Sequence, residues 1–133
     1  MKDFVTYEQA LALKELGFDE PCILLYRGLD TQPVCQMGYE FKTEKNSDYS
    51  DETNYWLTVP TFSQVFRWFR EKHDLHSCVA PVYQDEISKV IVYWFWIQGF
   101  DSFEDEDINY KTPEEAELAC VDKLIEIVKM NKL

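Results

Sequence analysis

Glycine is scarce in this chain, 4 in 133 residues. So few leave little to cradle a phosphate, and no Walker loop, dinucleotide fingerprint or G-x-S-x-G elbow occurs. Histidine is scarcer: His73 and His76 are the whole supply. A Ser-His-acid or Cys-His centre therefore has few ways to form. The pair reads H-x-x-H, but it straddles an expected helix end and lacks the clustered ligands a zinc site needs. The cysteines, Cys22, Cys35, Cys78 and Cys120, include no C-x-x-C pair. Free thiols are expected, several of them buried as small hydrophobes. No metal and no cofactor is implied. Long hydrophobic runs are also missing. The most apolar stretch, Val90 to Ile97, is about half the length a membrane helix needs. The opening Met1-Lys2-Asp3-Phe4-Val5-Thr6 has no signal-peptide pattern. A cytoplasmic location is the expectation.

Positive charge is the last shortage, with 13 Lys and Arg against 25 Asp and Glu and a formal net charge of −12. Nucleic-acid phosphates and anionic membranes are normally bound through a Lys/Arg footprint. Neither is expected as a direct partner. The acidity keeps a small protein soluble, or it is itself a surface that attracts a basic protein.

Against these shortages stands a rich apolar content, 46% hydrophobic and 16% aromatic residues. A disordered chain could not look like this, and 133 residues is an ordinary size for one core. One globular domain over residues 1–133 is expected.

Three helices share one starting device. Thr6-Tyr7-Glu8-Gln9 and Thr61-Phe62-Ser63-Gln64 read T-x-x-Q, and Thr112-Pro113-Glu114-Glu115 reads T-x-x-E. In each, the threonine hydroxyl can accept an orphan backbone N–H while the Gln or Glu reaches back. Pro113 suits the first helical position. The spacing predicts helices over Tyr7 to Leu16, ended by Gly17, over Phe62 to Lys72, and over Pro113 to Met130. Ala10, Leu13 and Leu16 share a face of the first. Phe62, Val65, Phe66 and Phe69 form the stripe of the second. In the third, Ala116, Cys120, Val121, Leu124, Ile125, Ile127 and Val128 span roughly half the circumference.

Strands are expected at Cys22 to Tyr26 and Pro33 to Met37, closing a hairpin through Leu29 to Gln32. Ser77 to Tyr83 should be an edge or bulged strand because of Pro81. Lys89 to Ile97 is apolar on both alternating sets, as in a central strand covered on both faces. A short strand near Ile108 to Tyr110 completes the set. The fold class is α+β, three helices packed on a mostly antiparallel sheet in the order α-β-β-α-β-β-α. Glu40 to Tyr55 and Asp101 to Asp107 read as solvated connections. Neither is an EF-hand: counting from Asp101, the sixth and twelfth residues are Glu106 and Thr112, and from Asp48 they are Thr53 and Val59. Loose binding of a divalent ion by the second run stays open beside the solvated reading. A carboxylate acid–base pair cannot be excluded by spacing, yet the residues lean away from catalysis.

Two candidate sites remain. Arg67-Trp68-Phe69-Arg70-Glu71-Lys72-His73 gathers cations in an anionic chain. Arg67 and Arg70 should face solvent with Trp68 on the flank, the composition of an interface anchor. The plainer reading makes Trp68 the edge of the core and pairs the arginines with acids. Asp101, Glu104, Asp105, Glu106 and Asp107 would form the acidic part of a partner-binding surface. The second candidate is an aromatic pocket between the sheet and the second and third helices, lined by Tyr26, Tyr93, Trp94 and Trp96.

The run Gln64-Val65-Phe66-Arg67-Trp68-Phe69-Arg70-Glu71-Lys72-His73 resembles a segment of small uncharacterised proteins encoded by phages and prophages of gut bacteria. So do the run from Thr6 to Phe18 and the run from Thr112 to Glu117. The resemblance implies a phage or prophage setting and carries no activity and no catalytic residues. In that setting, the dense negative charge, the Trp68/Arg70 patch and the wide apolar arc of the third helix make a non-catalytic accessory protein that binds another protein the expected function. One form is an inhibitor presenting acidic groups to a basic host protein. A small-molecule binding or processing domain with the aromatic pocket is the alternative, and a minor virion or assembly component is a third. A homodimer through the third helix would bury the excess of its apolar arc.

Overall fold

Threonine caps set the starts of the helices as their motifs require. Helix α1, Tyr7–Glu15, opens with Thr6 Oγ1 accepting the Gln9 N–H and Gln9 Oε1 accepting the Thr6 N–H, both at 3.2 Å. It closes on Gly17, whose φ of 97° suits a residue without a Cβ. There the Phe18 N–H donates to the Leu13 carbonyl at 2.9 Å and the Gly17 N–H to that of Lys14 at 3.0 Å, and Phe18 and Leu13 are both buried. This is a Schellman ending with its hydrophobic contact. Helix α2, Phe62–His73, repeats the reciprocal cap between Thr61 and Gln64 at 3.0 and 3.1 Å. Gln64 Nε2 is left to donate to the Pro21 carbonyl at 2.7 Å. Helix α3, Pro113–Asn131, differs: Thr112 Oγ1 accepts the Glu115 N–H at 3.2 Å, but Glu115 reaches one residue further back, to the Lys111 N–H at 3.0 Å.

The structure, a computed structural model, describes residues 3–27, 34–37, 43–49, 56–99, 103–104 and 110–131. It falls into two compact units, Met1–Gln64 and Val65–Leu133, the division lying within α2.

In the first unit, β1 (Leu24–Arg27) is the centre of an antiparallel sheet, between β2 (Val34–Met37) and β3 (Trp56–Val59). Cys22 lies outside β1 and instead bridges Glu44. β3 is a strand that no separate signal in the chain announced, and Leu57, Thr58 and Val59 on it are all buried. Helix α1 packs against β3, and the Tyr7 ring stands edge-on to Tyr26 at 5.4 Å. The free edge of β3 is closed by a side chain. Asn46, in a single 3-10 turn over Asn46–Asp48, accepts the Thr58 N–H and donates to the Phe18 carbonyl, each at 3.0 Å.

In the second unit, β5 (Ile91–Gln98) is central, between β4 (His76–Tyr83) and the short β6 (Phe103–Glu104). β4 is an edge strand, as Pro81 implied. Helix α3 packs on β4 and β5. Cys120 of α3 is hydrogen-bonded to Ser77, and Ser77 pairs with Ile97. Side chains alternate across a strand and oppose their partners on the same face. Thus Ser77, Val79, Phe95 and Ile97 lie on the α3 side, and Cys78, Ala80, Trp94 and Trp96 on the other.

The fold is α+β, its strand pairs are antiparallel among the described residues, and the order α-β-β-α-β-β-α is kept, with β3 and β6 each adding a third strand to a pair. β6 replaces part of the Asp101–Asp107 connection. Of the strand expected near Ile108 to Tyr110, only Tyr110 lies within the described residues, and it makes an isolated bridge to Tyr93. The half-circumference arc of α3 is buried over Ala116, Cys120, Val121, Leu124, Ile125 and Val128, with Ile127 half-buried. No helix among the described residues is long and apolar enough to cross a membrane.

Candidate interaction surface

The β4–β5 hairpin outruns its cover. Phe95 and Ile97 are buried, but every residue from Pro81 to Ile91 is exposed. A surface hairpin of this kind normally carries polar side chains on its open faces. This one carries Val82, Tyr83 (58% exposed), Ile87, Val90 and Ile91 (51%). Pro81, Val82, Tyr83 and Ile91 line an open cleft of about 260 Å³.

Its apex is fixed by hydrogen bonds. The Gln84 N–H donates to the Val90 carbonyl at 2.8 Å and closes the loop. Asp85 Oδ1 accepts the N–H groups of Ile87 (2.9 Å) and Ser88 (2.6 Å), and Oδ2 accepts the Ser88 hydroxyl at 2.8 Å. Lys89 turns the chain back with a φ of 53°. The Ser88 N–H, then its hydroxyl, hold the Asp85 carboxyl below the ordinary 3.8, with the Ile87 N–H adding to them. On this fixed loop Ile87 is 95% exposed. An apolar side chain presented on an ordered loop is suited to dock, because little conformational entropy is left to lose.

The sequence pointed elsewhere. Trp68 is 4% exposed and is not a surface anchor: its ring meets Phe69 at 5.0 Å and His73 at 4.8 Å, both edge-on. At about 100° per residue, the buried set Phe62, Val65, Trp68 and Phe69 is turned toward Trp68, leaving Phe66 half-buried. The expected stripe had the wrong phase. Arg67 and Arg70 are exposed as expected. Of the acidic set, Asp101, Asp105, Glu106 and Asp107 lie outside the described residues, and Glu104 sits in β6 opposite Trp96.

The residues expected to line an aromatic pocket do not share one face of β5. Tyr93 lies on the α3 side of β5 and Trp94 and Trp96 on the other, all three half-buried. Tyr26 belongs to the first unit, where its hydroxyl donates to the Val5 carbonyl at 3.2 Å. Alternation on one strand sends neighbouring aromatics apart, and this is why the three cannot share a wall. His73 faces Trp68, while His76 Nε2 is 2.9 Å from Asp74 Oδ1. No group of metal-ligating side chains forms among the described residues.

The thiols Cys22, Cys78 and Cys120 are free. Burial pushes Cys22 up to about 11, with the Thr58 hydroxyl opposing the shift and the Glu20 charge adding to it. Burial likewise pushes Cys120 up to about 12 against the Ser77 hydrogen bond, with Cys78 and Glu117 adding to the rise. Cys78 is exposed.

The exposed hairpin end had one available signal, a lone isoleucine inside the polar turn Asp85-Glu86-Ile87-Ser88-Lys89. Comparison of the chain with protein-family models, curated proteins and solved structures finds no match.

Proposed function

We propose that the chain is a non-catalytic binding protein that docks onto another protein through the β4–β5 hairpin end. It would act in the host cytoplasm, in the phage or prophage setting that its helices resemble. The observation that carries this reading is the exposed apolar cluster at Val82, Tyr83, Ile87, Val90 and Ile91, with Ile87 on a loop fixed by Asp85. Contiguous apolar surface on a soluble domain marks an interaction site. Burying one such side chain contributes about 2 kcal/mol, so a few of them supply the core of an interface. The exposed Arg67 and Arg70 lack an aromatic anchor once Trp68 is inside, so the contact surface moves from α2 to the hairpin.

The test is capture from bacterial lysate by the immobilised full chain, compared with a Val82→Ser, Tyr83→Ser, Ile87→Ser variant and an Arg67→Ala, Arg70→Ala variant. A partner retained by the wild type and the arginine variant but lost from the hairpin variant supports the reading. Equal capture by all three, or loss from the arginine variant alone, overturns it.

A further inference from the structure

The chemistry of the hairpin end restricts what can cover it, and the three classes of occupant are not equally suited. The first is a strand added to the free edge of β4. The Gln84 N–H points to β5, so by alternation those of Val82, Ala80 and Cys78 do too, and those of Ser77, Val79 and Tyr83 point outward. Position 81 would supply the middle outward donor, and it is a proline. An incoming strand loses a ladder bond at its centre. The arm therefore offers side chains and not an edge.

The second occupant is another copy of this chain. Each copy carries a formal charge of −12, so two copies repel over a distance of about a Debye length, roughly 8 to 10 Å at physiological salt. The third is a different protein, and the same charge attracts it when it is basic. The local charges agree. Asp85 is occupied in fixing the loop, whereas Glu86, next to the exposed Ile87, makes no hydrogen bond or ion pair among the described residues. Lys89 is the only cation between Pro81 and Ile91, and it sits on the returning side of the turn, after Ser88.

Resting on the proposed function, we infer that the hairpin's occupant is a basic protein presenting an apolar pocket. Ile87 enters the pocket, with Tyr83 and Ile91 closing on its wall, and Glu86 faces a cation at the rim. The anionic surface speeds encounter and Ile87 holds the complex, so salt acts mainly on association and Ile87 on dissociation.

The experiment titrates the full chain with two short amphipathic peptides of identical apolar pattern, one of leucine and lysine and one of leucine and glutamate. The leucine–lysine peptide is expected to bind at least about tenfold more tightly, and Ile87→Ser to weaken it by roughly tenfold. Glu86→Gln should reduce the salt dependence of binding, and Ile23→Ser, at an exposed apolar residue of the other unit, should change nothing. Equal binding of both peptides removes the charge selection and overturns the inference. Binding that ignores Ile87→Ser places the peptide elsewhere on the acidic surface and overturns it too. Self-association of the full chain that Ile87→Ser abolishes makes a second copy the occupant. Lysate capture separates the two claims. A hairpin-dependent partner that is acidic overturns this inference and leaves the proposed function standing, whereas no hairpin-dependent partner at all removes both.

Discussion

Asn46 shows how much can rest on one polar side chain. It is buried and bonds two buried backbone groups, donating to the Phe18 carbonyl and accepting the Thr58 N–H. Asn46→Ala removes both buried bonds at once, at a cost of about 2 to 3 kcal/mol. Urea unfolding should show that loss, while Ser47→Ala, one residue along on the exposed side, should be nearly neutral. The thiols make a second residue-scale test. An alkylating reagent at about pH 8 reaches only thiols that the fold leaves accessible. Peptide mapping should find Cys78 modified in the native protein, and Cys22 and Cys120 only after unfolding. Cys120 modified as fast as Cys78 would contradict the packing of α3 on β4. Both folded values, about 11 and about 12, lie above the ordinary 9.0, so the fold favours the neutral thiols. Their stabilisation is whole below about pH 9 and is lost as pH rises toward the folded values. The urea midpoint should therefore fall from about pH 9 upward, less steeply in Cys120→Ala.

At the scale of elements, what was legible in the chain is what is local. Three threonines with Gln or Glu three residues on start three helices, and Gly17 ends one, because a cap is decided within a single turn. Pro81 correctly marks an edge because a missing N–H is a property of one residue. β3 escaped because Trp56-Leu57-Thr58-Val59 is only four residues beside a polar stretch, too short for a period to show. Trp68 follows the plainer of its two readings and packs into the core, while the stripe of α2 is shifted toward it, because periodicity gives the width of a stripe and tertiary packing its phase. The expected pocket lining is divided for a related reason: Tyr93 is next to Trp94 in the strand and so faces away from Trp94 and Trp96. The hairpin end was hidden by its own composition, since alternating apolar residues read as covered strand wherever the strand stops being covered. Its order depends on Asp85. The folded carboxyl titrates below its ordinary value, so its stabilising effect is present above about pH 4 and is lost as pH falls through the lowered value. Asp85→Ala should speed amide exchange at Ser88 at neutral pH. The difference from wild type should vanish in acid, and a difference that persists there would mean the carboxylate is not what holds the loop.

At the scale of the molecule, charge and apolar exposure sit in separate roles. The net −12 repels phosphates and anionic membranes and attracts cationic groups, but exposed charge alone holds nothing tightly. In the proposed contact retention falls to apolar side chains, and of the seven large hydrophobic residues exposed among the described ones, Val82, Tyr83, Ile87, Val90 and Ile91 belong to the hairpin. Most of the α3 arc that first suggested a dimer is buried within the chain, so the proposed contact rests on the hairpin end. The most direct measurement places a photo-crosslinking residue at position 87 of the full chain, with a matched probe at position 70 on exposed α2, in cells that supply the partner. The account predicts a discrete crosslinked protein from position 87 and none from position 70. Crosslinking from position 70 alone, or from neither, would contradict it.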